Sequence, residues 1–207
     1  MDAKIKWLFF DIGSTLVDES LCYEERYKAI TSGTSVSYDE FREKVIFYSR
    51  MNCKRDHRAA REYGFALPKW NKALERLYPK ARSVLEVLKT RGYKLGIIAN
   101  QSPGTKDRLE HYGILPFFDV ILASAEEGVS KPDRRIFELA LKQADCLPHE
   151  AVMIGDRLDN DIVPAKALGM KTVWIKQGLG QYYIARSIEE EPDETIYSLE
   201  QLLEIFE

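Results

Sequence analysis

Apolar residues in this chain gather into short unbroken runs. The clearest are Lys6–Phe10 (KWLFF), Lys94–Ala99 (KLGIIA) and Ala151–Gly155 (AVMIG), with shorter ones at Val120–Ala123 and Thr172–Ile175 (TVWI). Each is bounded by polar or glycine-containing segments, and none alternates cleanly. Such runs predict strands covered on both faces, hence a parallel sheet. Between them the apolar period lengthens to that of a helix. Ser83–Thr90 carries Val84, Leu85, Val87 and Leu88, and Asp133–Ala144 carries Ile136, Phe137, Leu139, Ala140 and Leu141. Ser198 with Gln201 three residues on reads as a capping box ahead of Leu202, Leu203 and Phe206. Strands alternating with helices of this length predict a doubly wound α/β domain of three layers, α/β/α.

Residues 18–79 break the alternation and read as helix only. Tyr38, Phe41, Val45 and Tyr48 recur at helical spacing, and Gly64 and Pro68 mark a turn. The expected organisation is therefore a core from residues 1–17 and 80–207, with 18–79 inserted as a small helical cap over the carboxyl edge of the sheet. A chain of 207 residues, 45% hydrophobic, can fill one core plus such a module.

The net charge of −3 gives no reason to expect nucleic acid or an anionic membrane surface as partner. Cys22, Cys53 and Cys146 are odd in number and scattered, which argues against a disulfide framework. The N-terminus (MDAKIKWLFFD) meets an acidic residue too soon for a signal peptide, and no apolar run approaches the roughly 18 residues of a membrane span. A cytoplasmic protein is expected.

Ligands of open α/β sheets bind beyond the carboxyl ends of the strands. Asp11, Asn100 and Asp156 stand there, and Lys131 precedes Pro132, which can open the following helix. Singly, each has a plainer reading. An aspartate after a strand can cap a turn, Lys131 can be a solvated surface residue, and Asp156, Asp159 and Asp161 in GDRLDND can be turn residues, with Asp161 capping a helix near Pro164. Together they would converge on one sheet edge and perturb each other's ionisation. Clustered carboxylates suit a hard cation, Mg²⁺ in particular.

With these residues assembled, the chain resembles the haloacid dehalogenase superfamily, in the subgroup with a helical cap after the first strand. FFDIGSTL resembles the first motif, usually D-x-D-G-T-L. KLGIIAN resembles the second, an apolar strand ending in Ser or Thr. SKPDRRIF resembles the lysine motif, VMIGDRLDNDI the acidic motif G-D-x-x-x-x-D, and TIYSLEQLLEIF the usual ending. The likeness spans the chain, the cap in position and helicity only. It implies a Rossmann-like core and Mg²⁺-dependent hydrolysis of small phosphorylated metabolites. Asp11 would be the nucleophile that forms an aspartyl-phosphate. Asp11, the carbonyl of Gly13, Asp156 and Asp161 would hold the metal, Asp161 through water or by orienting Lys131. Lys131 would neutralise the phosphoryl oxygens, and Ser14 and Asn100 would stand near the phosphate.

Two positions depart from that pattern. Gly13 replaces the second aspartate, which in phosphatases of the family protonates the leaving oxygen and then deprotonates the attacking water. Losing such a group costs about 10² to 10⁴ in rate for poor leaving groups. Asp18 or Glu19 at the cap's entrance could substitute, although nothing in the sequence places either carboxylate. Ala99 replaces the second motif's hydroxyl, leaving Asn100 or Ser102 as substitutes. These departures leave open a catalytically impaired phospho-ligand-binding or regulatory protein. They also admit carbon–halogen cleavage, disfavoured by the retained acidic motif, and carbon–phosphorus cleavage, which would need a cap lysine such as Lys44 or Lys54. Arg50, Lys54, Arg58 and Arg61 follow helical spacing as a basic stripe, either drawing an anionic substrate toward the cleft or forming a solvated face. His57 is expected at the surface.

Overall fold

The computed structural model describes residues 4–53 and 55–207. In chain order its strands are β1 (Trp7–Phe10), the short β2 (Val17–Asp18) and β3 (Arg76–Leu77), β4 (Lys94–Ala99), β5 (Val120–Ala123), β6 (Ala151–Gly155), β7 (Lys171–Ile175) and β8 (Glu194–Ile196). Six of them form one sheet in the order β5-β4-β1-β6-β7-β8, with every neighbouring pair parallel. The five apolar runs become β1, β4, β5, β6 and β7, with starts shifted by one residue at most. The edge strand β8 has no apolar run behind it, because only Ile196 of its three residues is buried. From β1 the sheet is extended to one side by β4 and β5 and to the other by β6, β7 and β8. The crevice at their carboxyl ends is therefore the expected ligand position.

The period of two along β1 builds the layers. Leu8 and Phe10 face one cluster, Trp7 and Phe9 the other. Gly96 on β4 is required for this, since a Cβ there would lie 2.5 Å from the ring of Phe9.

Residues after β2 form α1 (Ser20–Thr31), α2 (Tyr38–Arg50) and α3 (Arg55–Glu62). Ser37 caps α2, accepting from the N–H of Glu40 at 3.1 Å. Tyr27, Phe41 and Val45 are buried in a separate aromatic cluster, which Leu179 and Tyr182 join from the C-terminal part of the chain. The antiparallel ribbon of β2 with β3 lies where this segment leaves and rejoins the chain. The basic stripe is not continuous: α2 ends at Arg50, and Asn52 turns the chain through φ +52 before α3 begins. Arg58 instead stacks over Tyr48 at 5.2 Å. Lys54, assigned to the stripe and to carbon–phosphorus cleavage, lies outside the described residues, as do the first three residues of the expected core.

The remaining helices are α4 (Ala81–Thr90), α5 (Thr105–His111), α6 (Ser124–Glu127), α7 (Arg134–Gln143), α8 (Val163–Ala167) and α9 (Leu202–Ile205). Residues of α4, α5 and α9 cover the Leu8 face, and α7 and α8 cover the Phe9 face. Three local expectations need correction. Asp133, not Pro132, opens α7, its carboxylate accepting from Arg135 N–H at 3.0 Å. Ser198 makes no side-chain cap, and Gln201 Oε1 accepts instead from the N–H of Tyr197 at 2.7 Å. Asp161 caps no helix, for it sits inside a wide π-type turn over Leu158–Ile162. The three cysteines are free. Among the described residues no helix is long and apolar enough to cross a membrane.

Candidate active site

The loop after β1 is tied down on both sides. Asp11 N–H donates to the Ile154 carbonyl of β6 at 2.9 Å, and the N–H groups of Leu16 and Val17 both donate to the Ile12 carbonyl at 2.9 Å. Ser14 takes φ +55 in this loop, a left-handed conformation that glycine adopts more easily. Asp11 is thereby aimed over the carboxyl edge of the sheet.

Lys131 meets it there. Its Nζ lies 2.6 Å from Asp11 Oδ1 and 2.5 Å from Asp161 Oδ1, and the side chain is almost completely buried. Asn100 holds the backbone of Lys131 with its whole amide. Its Nδ2 donates to the Lys131 carbonyl and its Oδ1 accepts from the Lys131 N–H, both at 2.8 Å. The second oxygen of Asp161 accepts from Arg157 N–H at 3.0 Å. Gly155, at the end of β6, makes room for this carboxylate, which a Cβ at that position would strike.

Asp156 is the third acid. Oxygens of Asp11, Asp156 and Asp161 lie within 4.8 Å of one another. Oδ2 of Asp156 is buried and has no hydrogen-bond partner among the described residues. The nearest cation, Nη1 of Arg55 on α3, is 3.6 Å away, beyond hydrogen-bond range. A buried carboxylate oxygen without a partner costs about 1–3 kcal/mol or more. This orphaned atom among three acids is the donor set of an oxygen-ligated divalent cation, so the residues present fit Mg²⁺.

Electrostatics separate the group by burial. Asp156 is pushed well above the usual carboxylate range by burial and by the charges of Asp161 and Asp11, with Arg55 opposing. Burial raises Asp161 to about 6 against the pull of Lys131. Burial works against the Lys131 ammonium, but Asp11 and Asp161 outweigh it and hold its pKa above the ordinary value.

Asp18, which ends β2, and Glu19, which precedes α1, are held differently. Asp18 Oδ1 accepts from Ser20 N–H at 2.9 Å and so serves the start of α1. Glu19 makes no such cap and turns its side chain toward Gly13. Ser14 does not line the cleft beside Asp11; its hydroxyl donates to Glu19 Oε2 at 3.2 Å. Burial, then the charge of Asp11, push Glu19 up to about 7. Ala99 closes β4 with no hydroxyl to offer, and Ser102 Oγ is taken by the ammonium of Lys72 at 2.6 Å.

Above the acids opens a cleft of about 520 Å³, walled by Glu19, Tyr23, Arg55, Trp70, Asn100 and Lys131 among others. The Arg55 guanidinium lies 5.7 Å from the Tyr23 ring centre and 5.6 Å from that of Tyr183. Arg26 stacks over Trp70 at 4.6 Å and pairs with Asp56 at 2.9 Å. His57 is exposed, as expected, and stands at this cleft as well. Lys44 does not, being paired with Glu62 at 2.7 Å. Arg55 lines this cleft and was not among the residues expected there. It sits in the same basic run, one residue beyond the face that helical spacing selected.

Residues 8–175 match the family profile of the haloacid dehalogenase-like hydrolases. The glyceraldehyde 3-phosphate phosphatase of Pyrococcus furiosus is 37% identical over 99% of this chain and 94% of its own length. That of Pyrococcus abyssi is 37% identical over 84% and 82%. The crystal structure of a HAD phosphatase from Thermococcus onnurineus superposes with a TM-score of 0.66 at 28% identity, covering 97% of each chain.

Proposed function

Since this chain belongs to the haloacid dehalogenase-like hydrolases, we propose that it is a Mg²⁺-dependent, cytoplasmic phosphatase of small phosphorylated metabolites that works through an aspartyl-phosphate on Asp11. The observation that carries this reading is the shared ammonium of Lys131, held between Asp11 at 2.6 Å and Asp161 at 2.5 Å beside the orphaned oxygen of Asp156. The relatives named as phosphatases support it.

Asp11 attacks phosphorus, and the P–O bond to the leaving group breaks. Lys131 offsets the charge of the phosphoryl oxygens at the point where Asp11 engages them. Asn100 keeps Lys131 there by clamping its backbone, and its second amide hydrogen remains for a phosphate oxygen. Asp11, Asp156, Asp161 and the carbonyl of Gly13 would hold the cation, which when bound neutralises charge on the transferring group. Water then releases phosphate from Asp11. Residues 18–79 act as the cap, with 1–17 and 80–207 as the core. Tyr23, Arg55 and Trp70 from the cap form the wall against which the rest of the substrate rests. Arg55 suits a substrate with a second anionic group.

Release of inorganic phosphate from a panel of small phosphate esters, with Mg²⁺ and after chelation, tests this. Turnover should require the cation and vanish in Asp156→Ala. Activity that survives both treatments contradicts the reading. The carbon–phosphorus alternative finds no support in Lys44, which stands outside the cleft.

A further inference from the structure

Position 13 lacks a side chain, yet the space beside its backbone is filled. A Cβ built on Gly13 would lie 2.6 Å from Glu19 Oε1 and 2.9 Å from both Cδ and Oε2. The carboxyl group of Glu19 therefore stands at the root of the side chain that residue 13 does not have. It also lines the inner cleft with Asp11 and Lys131. Ser14 orients it through Oε2, while Oε1 accepts no hydrogen bond among the described residues. The start of α1 makes no use of it, because Asp18 serves that turn.

We propose that Glu19 is the general acid and base of this site, supplied by the entrance of the helical segment in place of the residue at position 13. The inference rests on the phosphatase reading above. In the first step Asp11 bonds to phosphorus, the P–O bond to the leaving group breaks, and the departing oxygen keeps the electron pair and takes the proton of Glu19. In the second step the Glu19 carboxylate takes a proton from water as the water oxygen bonds to phosphorus. The P–O bond to Asp11 breaks, its electron pair returns to the Asp11 carboxylate, and Glu19 is again protonated. The net change is ester plus water to alcohol plus hydrogen phosphate.

The geometry also says why Gly13 and Glu19 go together. A side chain at position 13 has to displace the Glu19 carboxyl group, so Gly13→Asp alone moves the acid already present, whereas Gly13→Asp with Glu19→Ala exchanges one acid for the other.

The test uses the full chain with Mg²⁺ and two substrates, nitrophenyl phosphate and an alkyl phosphate. The native protein should turn over both, with a shallow dependence on leaving-group acidity. Glu19→Gln should lose about 10²- to 10⁴-fold on the alkyl phosphate. On nitrophenyl phosphate it should release one equivalent of nitrophenolate in a burst and then stall, because the good leaving group departs unaided while the water is no longer activated. Gly13→Asp/Glu19→Ala should recover alkyl phosphate turnover relative to Glu19→Ala alone. Equal losses on both substrates without a burst, or no loss, would overturn the role of Glu19 and leave the phosphatase reading intact. A steep leaving-group dependence in the native protein would overturn it with no variant needed. Failure of the native protein to hydrolyse any ester would overturn both.

Discussion

The two rims of the sheet carry carboxylates of opposite character. At the amino-end rim, Asp119 Oδ2 accepts from Leu95 N–H at 2.9 Å and pairs with Lys89 at 2.7 Å. Asp193 Oδ2 there accepts from Thr172 N–H and Oγ1, both at 2.8 Å. Burial opposes ionisation at both, yet these partners hold both below the usual carboxylate range. At the carboxyl-end rim, Asp156, Asp161 and Glu19 are all pushed upward, by burial first. One rim satisfies its acids and gains stability from them. The other crowds acids around too few donors, which costs stability in the protein alone, a cost that a bound cation would offset on the reading proposed above.

The strongest way to break that contrast is at Asp11. Asp11→Asn should lower turnover by about 10⁴-fold or more, while the metal-free protein melts no lower than the native one, since one charge has left a crowded site. A loss of activity accompanied by unfolding would make Asp11 a structural residue. Next comes the wall. Arg55→Met should raise KM for a doubly anionic substrate by about 10- to 100-fold, the worth of one partly desolvated charge contact, with a smaller change in kcat. Equal KM values for the variant and the native protein would remove Arg55 from substrate binding.

The third prediction is a pH dependence of stability. Asp161 at about 6 and Glu19 at about 7 both lie above their unfolded values. The folded state then binds more protons than the unfolded state between those limits, so stability falls as pH rises through them. The metal-free protein should melt roughly 5 °C or more lower at pH 8 than at pH 5, and Mg²⁺ should reduce the difference. A melting temperature that rises over that interval contradicts the sign. The smallest effect is at the other rim. Asp193→Asn should cost about 1–2 kcal/mol in denaturant unfolding, the worth of charge-assisted hydrogen bonds at a partly exposed site, and leave kcat unchanged.

What was legible in the sequence follows the same division. Strand ends fix the carboxyl-end rim, and strands announce themselves as apolar runs, so Asp11 and Asp156 could be placed there before any coordinates, and the resemblance to the lysine and acidic motifs added Lys131 and Asp161. Their partners could not. Asn100 was assigned to phosphate, but its amide spends most of its bonding on Lys131. Ser14 was assigned there too, but it bonds Glu19. Glu19 could be named only together with Asp18 as a substitute acid, because which of two adjacent acids turns inward depends on Asp18 taking the N–H of Ser20. Arg55 was lost to a helix break at Met51–Asn52, which changes the face that the following residues present. Short elements were lost as well. The two-residue strands β2 and β3 contain too few residues for a period, and they form because the chain passes there twice.

The most direct measurement is to trap the intermediate. The protein is mixed with Mg²⁺ and a phosphate ester, quenched during turnover, treated with borohydride and digested for mass spectrometry. An aspartyl-phosphate is reduced to homoserine, so homoserine should be found at residue 11 and be absent without substrate. Steady phosphate release with residue 11 still aspartate, or with the reduced residue elsewhere, would contradict the account.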